Sequence, residues 1–227
     1  MSVQTDNICK VLADRLRQPF VAWRLGMPPE QVGRVELENV EFPAVPLRAD
    51  SVFLLPDLRI VLHVEFQTTF ESDLPFRMLN YYVRLYARYS EQVDSIIQEV
   101  IVLRPGGSRV TDRFERDQTS HRYRVVEIWR LDGAALLEQE ASIPFAVLAR
   151  WEEGRSALAE TRRRIEEFPS RVKQADLSLF SSVLAGLEFN SAEIAQYLPI
   201  ATEAIMLESP VYREIIERGL SQGLQQG

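Results

Sequence analysis

In the stretch DSVFLLPDLRIVLHVEFQTT, residues 50–69, Asp50, Glu65 and Gln67 stand where a sheet usually holds apolar side chains. The runs 48–55 and 59–67 flank PDLR, and the spacing predicts a hairpin with Asp57 and Leu58 at its tip. Symmetric pairing then sets Asp50 opposite Glu65. Directly opposed residues have Cβ atoms about 4.5–5.5 Å apart, and like charges there are destabilising. Alternation puts His63, Glu65 and Gln67 on one face as a polar ledge, with Leu62, Val64 and Phe66 on a core face. A divalent cation between Asp50 and Glu65 would turn the repulsion into binding. Hard cations take carboxylate oxygens, and magnesium commonly uses one or two carboxylates together with water and phosphate. Such an ion activates bound water and steadies charge developing at a phosphate. The same residues would also suit a wet, half-exposed sheet face, and a slip of one residue would part the pair.

Composition narrows the chemistry. The chain has 227 residues, 46% of them hydrophobic, enough for one sizeable domain or for a core with an appended helical lobe. Cys9 is the single cysteine and there are two histidines, so an internal disulfide framework is excluded and a Cys/His zinc site is not expected. A metal would be oxygen-held, which points to magnesium or manganese. The net charge of −7 does not advertise nucleic-acid binding, but 24 of the 26 basic residues are arginines, the better phosphate fork. MSVQTDNICK lacks the apolar core of a signal peptide, and no apolar run approaches the roughly 20 residues of a bilayer helix. A cytoplasmic location without membrane attachment is the expectation.

The elements that must position these groups follow in order. Residues 5–25 read as a helix with Thr5 as N-cap and Ile8, Val11, Leu12 and Leu16 on its apolar face, broken by GMPPEQVG. Strands are predicted at 34–42, 48–55 and 59–67, a helix at 74–91, and strands at 97–105 and 122–131, with GGSRVTDRFERDQTS as a polar loop. The result is a mixed α/β sheet, with a core at 1–135 and a helical extension at 136–227. Within the extension, IPFAVLARWEEG and SALAETRRRIEEF have helical periodicity. The arginines of TRRRIEE alternate with Glu160, Glu166 and Glu167, as on a solvated face. In the tail RGLSQGLQQG, glycines fall at 219, 223 and 227. This suits a fraying helix or, alternatively, close packing on a second chain, and the repeat stops in mid-pattern as if the chain continued or had been trimmed.

The ordered set resembles the core of the PD-(D/E)XK nuclease superfamily, and within it the Rpn group of recombination-promoting, transposase-like nucleases. The resemblance is carried by DNICKVLADRL, by RADSVFLL and LHVEFQTT of the hairpin, by DLPFRMLNYYVRLYAR and YRVVEIWRLDGAALL, and by the glycine-spaced tail. It implies a restriction-endonuclease-like fold and a magnesium-dependent endonuclease acting on DNA, linked to recombination or mobile-element biology. Asp50 and Glu65 take the places of the motif carboxylates, and Gln67 stands where the superfamily most often has lysine. Glutamine can orient water but cannot titrate or carry charge. Lys10 is the candidate replacement for that charge, with Asp6 an outer metal-site carboxylate. An ordinary Asp6–Lys10 salt bridge is the equal alternative.

The helix at 74–91 carries Arg77, Tyr81, Arg84 and Arg88 as one stripe, while Phe76, Leu79, Val83 and Tyr86 form another, expected to pack on the sheet. Arg77, Tyr81 and Arg84 are the candidate nucleic-acid contacts, through phosphate forks and base stacking. Arg88 reads as a surface residue and His63 as a hydrogen-bonding neighbour of the site. A catalytically degenerate member of the same fold, serving as a DNA-binding or protein-interaction module, is the rival. A homodimer through the helices after residue 133 is the expected assembly.

Overall fold

The computed structural model describes residues 2–38 and 51–198, with side chains from residue 8 onward. Asp50, the side chain of Asp6 and the glycine-spaced tail lie outside this set. The chain divides into two compact units, Met1–Leu131 and Asp132–Gly227.

The first unit is α/β. It opens with α1 (Ser2–Arg15), α2 (Arg17–Leu25) and α3 (Pro29–Val32), followed by strands β1 (Glu36–Glu38), β2 (Ser51–Leu55) and β3 (Ile60–Gln67). Next come α4 (Leu74–Tyr89), β4 (Ser95–Val102), β5 (Arg113–Arg116), β6 (Thr119–Arg122) and β7 (Arg124–Glu127). The single helix expected at 5–25 is two, beginning before Thr5. Pro19 explains the break: it has no N–H for the Arg15 carbonyl and its ring crowds that turn. Leu16 leaves helical geometry at ψ 34°, and Gly26 ends α2 in the left-handed conformation at φ 66°.

Five strands form a mixed sheet in the order β1-β2-β3-β4-β7. β1, β2 and β3 pair antiparallel, whereas β3–β4 and β4–β7 are parallel. The β2–β3 hairpin turns through a 3-10 segment at Pro56–Leu58, and Arg59 closes it at φ 52°. Ser51 pairs with Val64 and Leu55 with Ile60, the register expected for the hairpin. The polar loop expected at 106–120 instead contains most of a second hairpin, β5–β6, which turns at Asp117 with φ 52°. Aspartate tolerates that region better than most side chains. The strand expected at 122–131 ends at Glu127 and passes into a 3-10 turn, Ile128–Arg130.

Both faces of the sheet are covered. On one, Phe20 of α2 packs against Phe53 and Phe66, with ring centroids 5.9 and 6.1 Å apart. On the other, Leu85 and Tyr89 of α4 cluster with Val52, Leu54 and Val61, while Leu74, Met78 and Tyr81 cluster with Val100, Val102 and Tyr123. Burial of this many large apolar side chains, at roughly 25 cal/mol per Å², is the main force joining helix to sheet. The stripe expected to make this contact is reversed: Phe76, Val83 and Tyr86 are 55%, 57% and 55% exposed. Beside its arginine stripe α4 carries two apolar rows, the expected one and Leu74, Met78, Leu85 and Tyr89, and periodicity could not choose which of them turns inward.

In the second unit, α5 (Gly133–Leu136) leads to a buried 3-10 segment, Glu140–Leu148, then α6 (Ala157–Glu166), α7 (Arg171–Ala185) and α8 (Ser191–Tyr197). Pro144 sits inside the 3-10 segment, where an α-helix was expected. The side chains of Ser156, Ser170 and Asn190 cap the three following helices by accepting from backbone N–H groups. The arginines of α6 pair along the surface with Glu160, Glu166 and Glu167. Gly133 lies against the Trp151 indole, which donates to the Ala146 carbonyl at 2.9 Å. A Cβ at Gly133 would overlap that ring. Gly133→Ala is therefore expected to cost about 1–3 kcal/mol, read as a lower urea midpoint.

Candidate functional site

The hairpin strand β3 presents His63, Glu65 and Gln67 toward α4, since Tyr81 of that helix meets the His63 ring edge-on at 4.9 Å. The row is not an exposed ledge: His63 is 0%, Glu65 2% and Gln67 9% exposed. Polar groups so deeply covered need partners, because an unmet hydrogen bond in the interior costs about 1–3 kcal/mol. His63 Nε2 lies 3.0 Å from Glu65 Oε1, and His63 Nδ1 lies 2.9 Å from the amide nitrogen of Gln98 in β4. The Gln98 amide also donates to the Met78 carbonyl at 3.0 Å, and its oxygen lies 2.6 Å from His121 Nε2. Among the described residues, the Gln67 amide makes no hydrogen bond.

Arg77, in the first turn of α4, reaches back over the row. Its guanidinium lies 3.8 Å from Glu65 Oε2, 2.8 Å from Glu71 Oε2 and 3.8 Å from Asp73 Oδ2. Burial, the largest influence, works to lower the Arg77 pKa, but Glu65, Tyr81, Asp73 and Glu71 together outweigh it and raise it. Its Nε is buried with no hydrogen-bond partner. The structure thus brings Glu65, His63 and Arg77 together, with Gln67 on the same face of the strand. Lys10 sits half-buried in α1, and Cys9 beside it is buried. Tyr81 is a correction: it is buried against His63, so its ring is not available to stack on a base. Arg84 is partly buried and bonds Asn80 at 3.3 Å, and Arg88 is exposed and pairs with Glu38 at 3.2 Å.

Two residues of β4 went unread in the sequence. Gln98 and Glu99 interrupt an otherwise apolar buried strand, and that interruption was the available signal. They point to opposite faces. Gln98 joins the His63 network, whereas Glu99, 1% exposed, takes Arg24 of α2 at 2.5 Å and Arg124 of β7 at 3.4 Å.

Burial lowers the pKa of the His121 imidazole below its ordinary value. The unfolded chain then binds the extra proton first, so stability falls as pH drops through the window beginning near about 6.5 and recovers as pH rises. His121→Gln should flatten that slope in urea midpoints measured between about pH 5 and pH 8.

Among the described residues, no group of three or more His, Cys, Asp or Glu side chains could hold a metal ion. Two of the three carboxylates expected to do so, Asp50 and Asp6, lie outside the side chains described. Glu65 and Gln67 present oxygen donors of the kind a hard cation takes. No described helix is long and apolar enough to cross a membrane. No family model, curated protein or solved structure matches the chain.

Proposed function

We propose that the chain is a magnesium- or manganese-dependent DNA endonuclease with a PD-(D/E)XK-type core of the Rpn group, acting in recombination or mobile-element biology in the cytoplasm. The observation that carries this reading is the buried polar row on β3. Glu65 is held between His63 and Arg77, with the uncommitted amide of Gln67 two residues on. Packing alone would favour apolar residues at such positions, and polar groups placed there at a cost in stability are a mark of function. The proposal requires Asp50 opposite Glu65, the next step of the ladder beyond Ser51 and Val64.

When bound, the ion would supply an activated water and charge neutralisation at the phosphate. Glu65 and Asp50 would hold it, with Asp6 as an outer carboxylate. Gln67 would orient the attacking water through its amide. Arg77 would brace Glu65 and engage phosphate, Arg84 would extend the phosphate contact, and Lys10 would supply the charge that lysine usually provides at the position of Gln67. DNA is the partner, and a homodimer through the C-terminal helices belongs to the same proposal.

The exposed stripe of Phe76, Val83 and Tyr86 favours one second reading, a degenerate nuclease fold that binds another macromolecule. Plasmid cleavage in magnesium, manganese or chelator, run beside Asp50→Ala, separates the two. Metal-dependent nicking lost in Asp50→Ala is expected; no nicking under any condition would favour the interaction module.

A further inference from the structure

We infer that His121, on β6, is a positioning residue that sets the orientation of the Glu65 carboxyl group through a one-way chain of hydrogen bonds running by Gln98 and His63. Its consequence for a metal rests on the function proposed above; its geometry does not.

The direction of the chain follows from one carbonyl. The oxygen of Met78 can only accept, so the Gln98 atom 3.0 Å from it must be the amide nitrogen. The second N–H of that nitrogen points at His63 Nδ1, 2.9 Å away, and Nδ1 must therefore accept. The His63 ring then carries its proton on Nε2 and donates it to Glu65 Oε1 at 3.0 Å. At the other end, the Gln98 carbonyl oxygen accepts from His121 Nε2 at 2.6 Å, so His121 also bears a proton there. Every donor points toward Glu65.

Rotation of any link would place two acceptors or two donors face to face. His63 and Gln98 are buried, so water cannot substitute. Aromatic rings fix the two imidazoles: Tyr81 lies against His63, while Tyr82 and Tyr123 flank His121 at 4.8 and 6.4 Å. Removing the His121 donor would orphan the Gln98 oxygen. The Met78 carbonyl would then be the one remaining anchor of the amide orientation, and each excursion of the amide away from it would release His63 to its other tautomer and take the His63 donor from Glu65 Oε1. Residues that orient a ligand in this way typically change metal affinity about 10–100-fold when lost.

The full chain has only two histidines, so a long-range proton–nitrogen correlation spectrum of the labelled protein reads both rings directly. Both are expected as Nε2–H tautomers. His121→Phe keeps the ring contacts but not the donor; it should mix the His63 tautomers and weaken manganese binding about tenfold, measured by calorimetry. His121→Gln restores an N–H and should recover both signals. An Nδ1–H pattern for His63 in the parent protein overturns the inference without any variant. So does a folded His121→Phe with an unchanged His63 spectrum and unchanged manganese affinity. A parent that binds no manganese sinks the metal-site reading instead, and the His63 spectrum of His121→Phe then decides the chain alone.

Discussion

Glu65→Gln is expected to lower metal-dependent plasmid cleavage by roughly 10³-fold, the several kcal/mol of transition-state stabilisation an ion can provide. It should also abolish any rise in melting temperature on adding manganese. Glutamine is the informative replacement. Its side-chain oxygen can still accept from His63 Nε2, so the bond to Glu65 Oε1 is preserved while the charge that would hold the ion is removed. Relief of like-charge repulsion with Asp50, the expectation from the hairpin alone, would make truncation of Glu65 stabilising. With Arg77 3.8 Å from Glu65 Oε2 and His63 donating to Oε1, Glu65→Ala should instead lower the melting temperature, because the buried His63 donor loses its acceptor and Arg77 keeps only Glu71 and Asp73 as carboxylate neighbours. Full cleavage by Glu65→Gln would remove Glu65 from the chemistry and leave the buried row as a structural network.

Arg24→Ala should lower stability by about 3–5 kcal/mol, the usual cost of stripping one partner from a buried ion pair. Glu99 is nearly inaccessible, and its closest cation is Arg24, whose side chain is itself largely covered. The remaining partner, Arg124, is half exposed and more distant, so it compensates little. Replacing both members with apolar residues should recover most of the loss, since desolvating the pair is itself costly. Urea unfolding of Arg24→Ala, Glu99→Leu and the double variant gives the coupling directly. A loss below about 1 kcal/mol in Arg24→Ala would mean that water reaches Glu99.

The β2–β3 hairpin was legible because its signals are local. Alternation of period two and the PDLR turn together specify which residues pair, and the ladder from Ser51–Val64 to Leu55–Ile60 follows that rule. The alternation also separated His63, Glu65 and Gln67 from Leu62, Val64 and Phe66. The mixed α/β class followed from the order of strand-like and helix-like runs. The β5–β6 hairpin was missed because its residues are polar and largely exposed, so neither strand carries a hydrophobic pattern. The break at Leu16 was available in Pro19 but was outweighed by the apolar periodicity around it.

By itself the sequence determined the β2–β3 pairing, the polar row and the apolar supply of α4; only the tertiary structure decided what each of them faces. Periodicity states that a residue lies on a face, not which neighbour covers that face. The burial of Glu65, the inward turn of Tyr81 and the exposure of Phe76, Val83 and Tyr86 all depend on how α4 rolls against the sheet. The partners of the buried polar groups are remote in the chain: Gln98 meets His63 across 35 residues, and Arg24 meets Glu99 across 75. Such pairs leave no spacing in the sequence, because their geometry arises when strands and helices, each locally encoded, pack to bury apolar area.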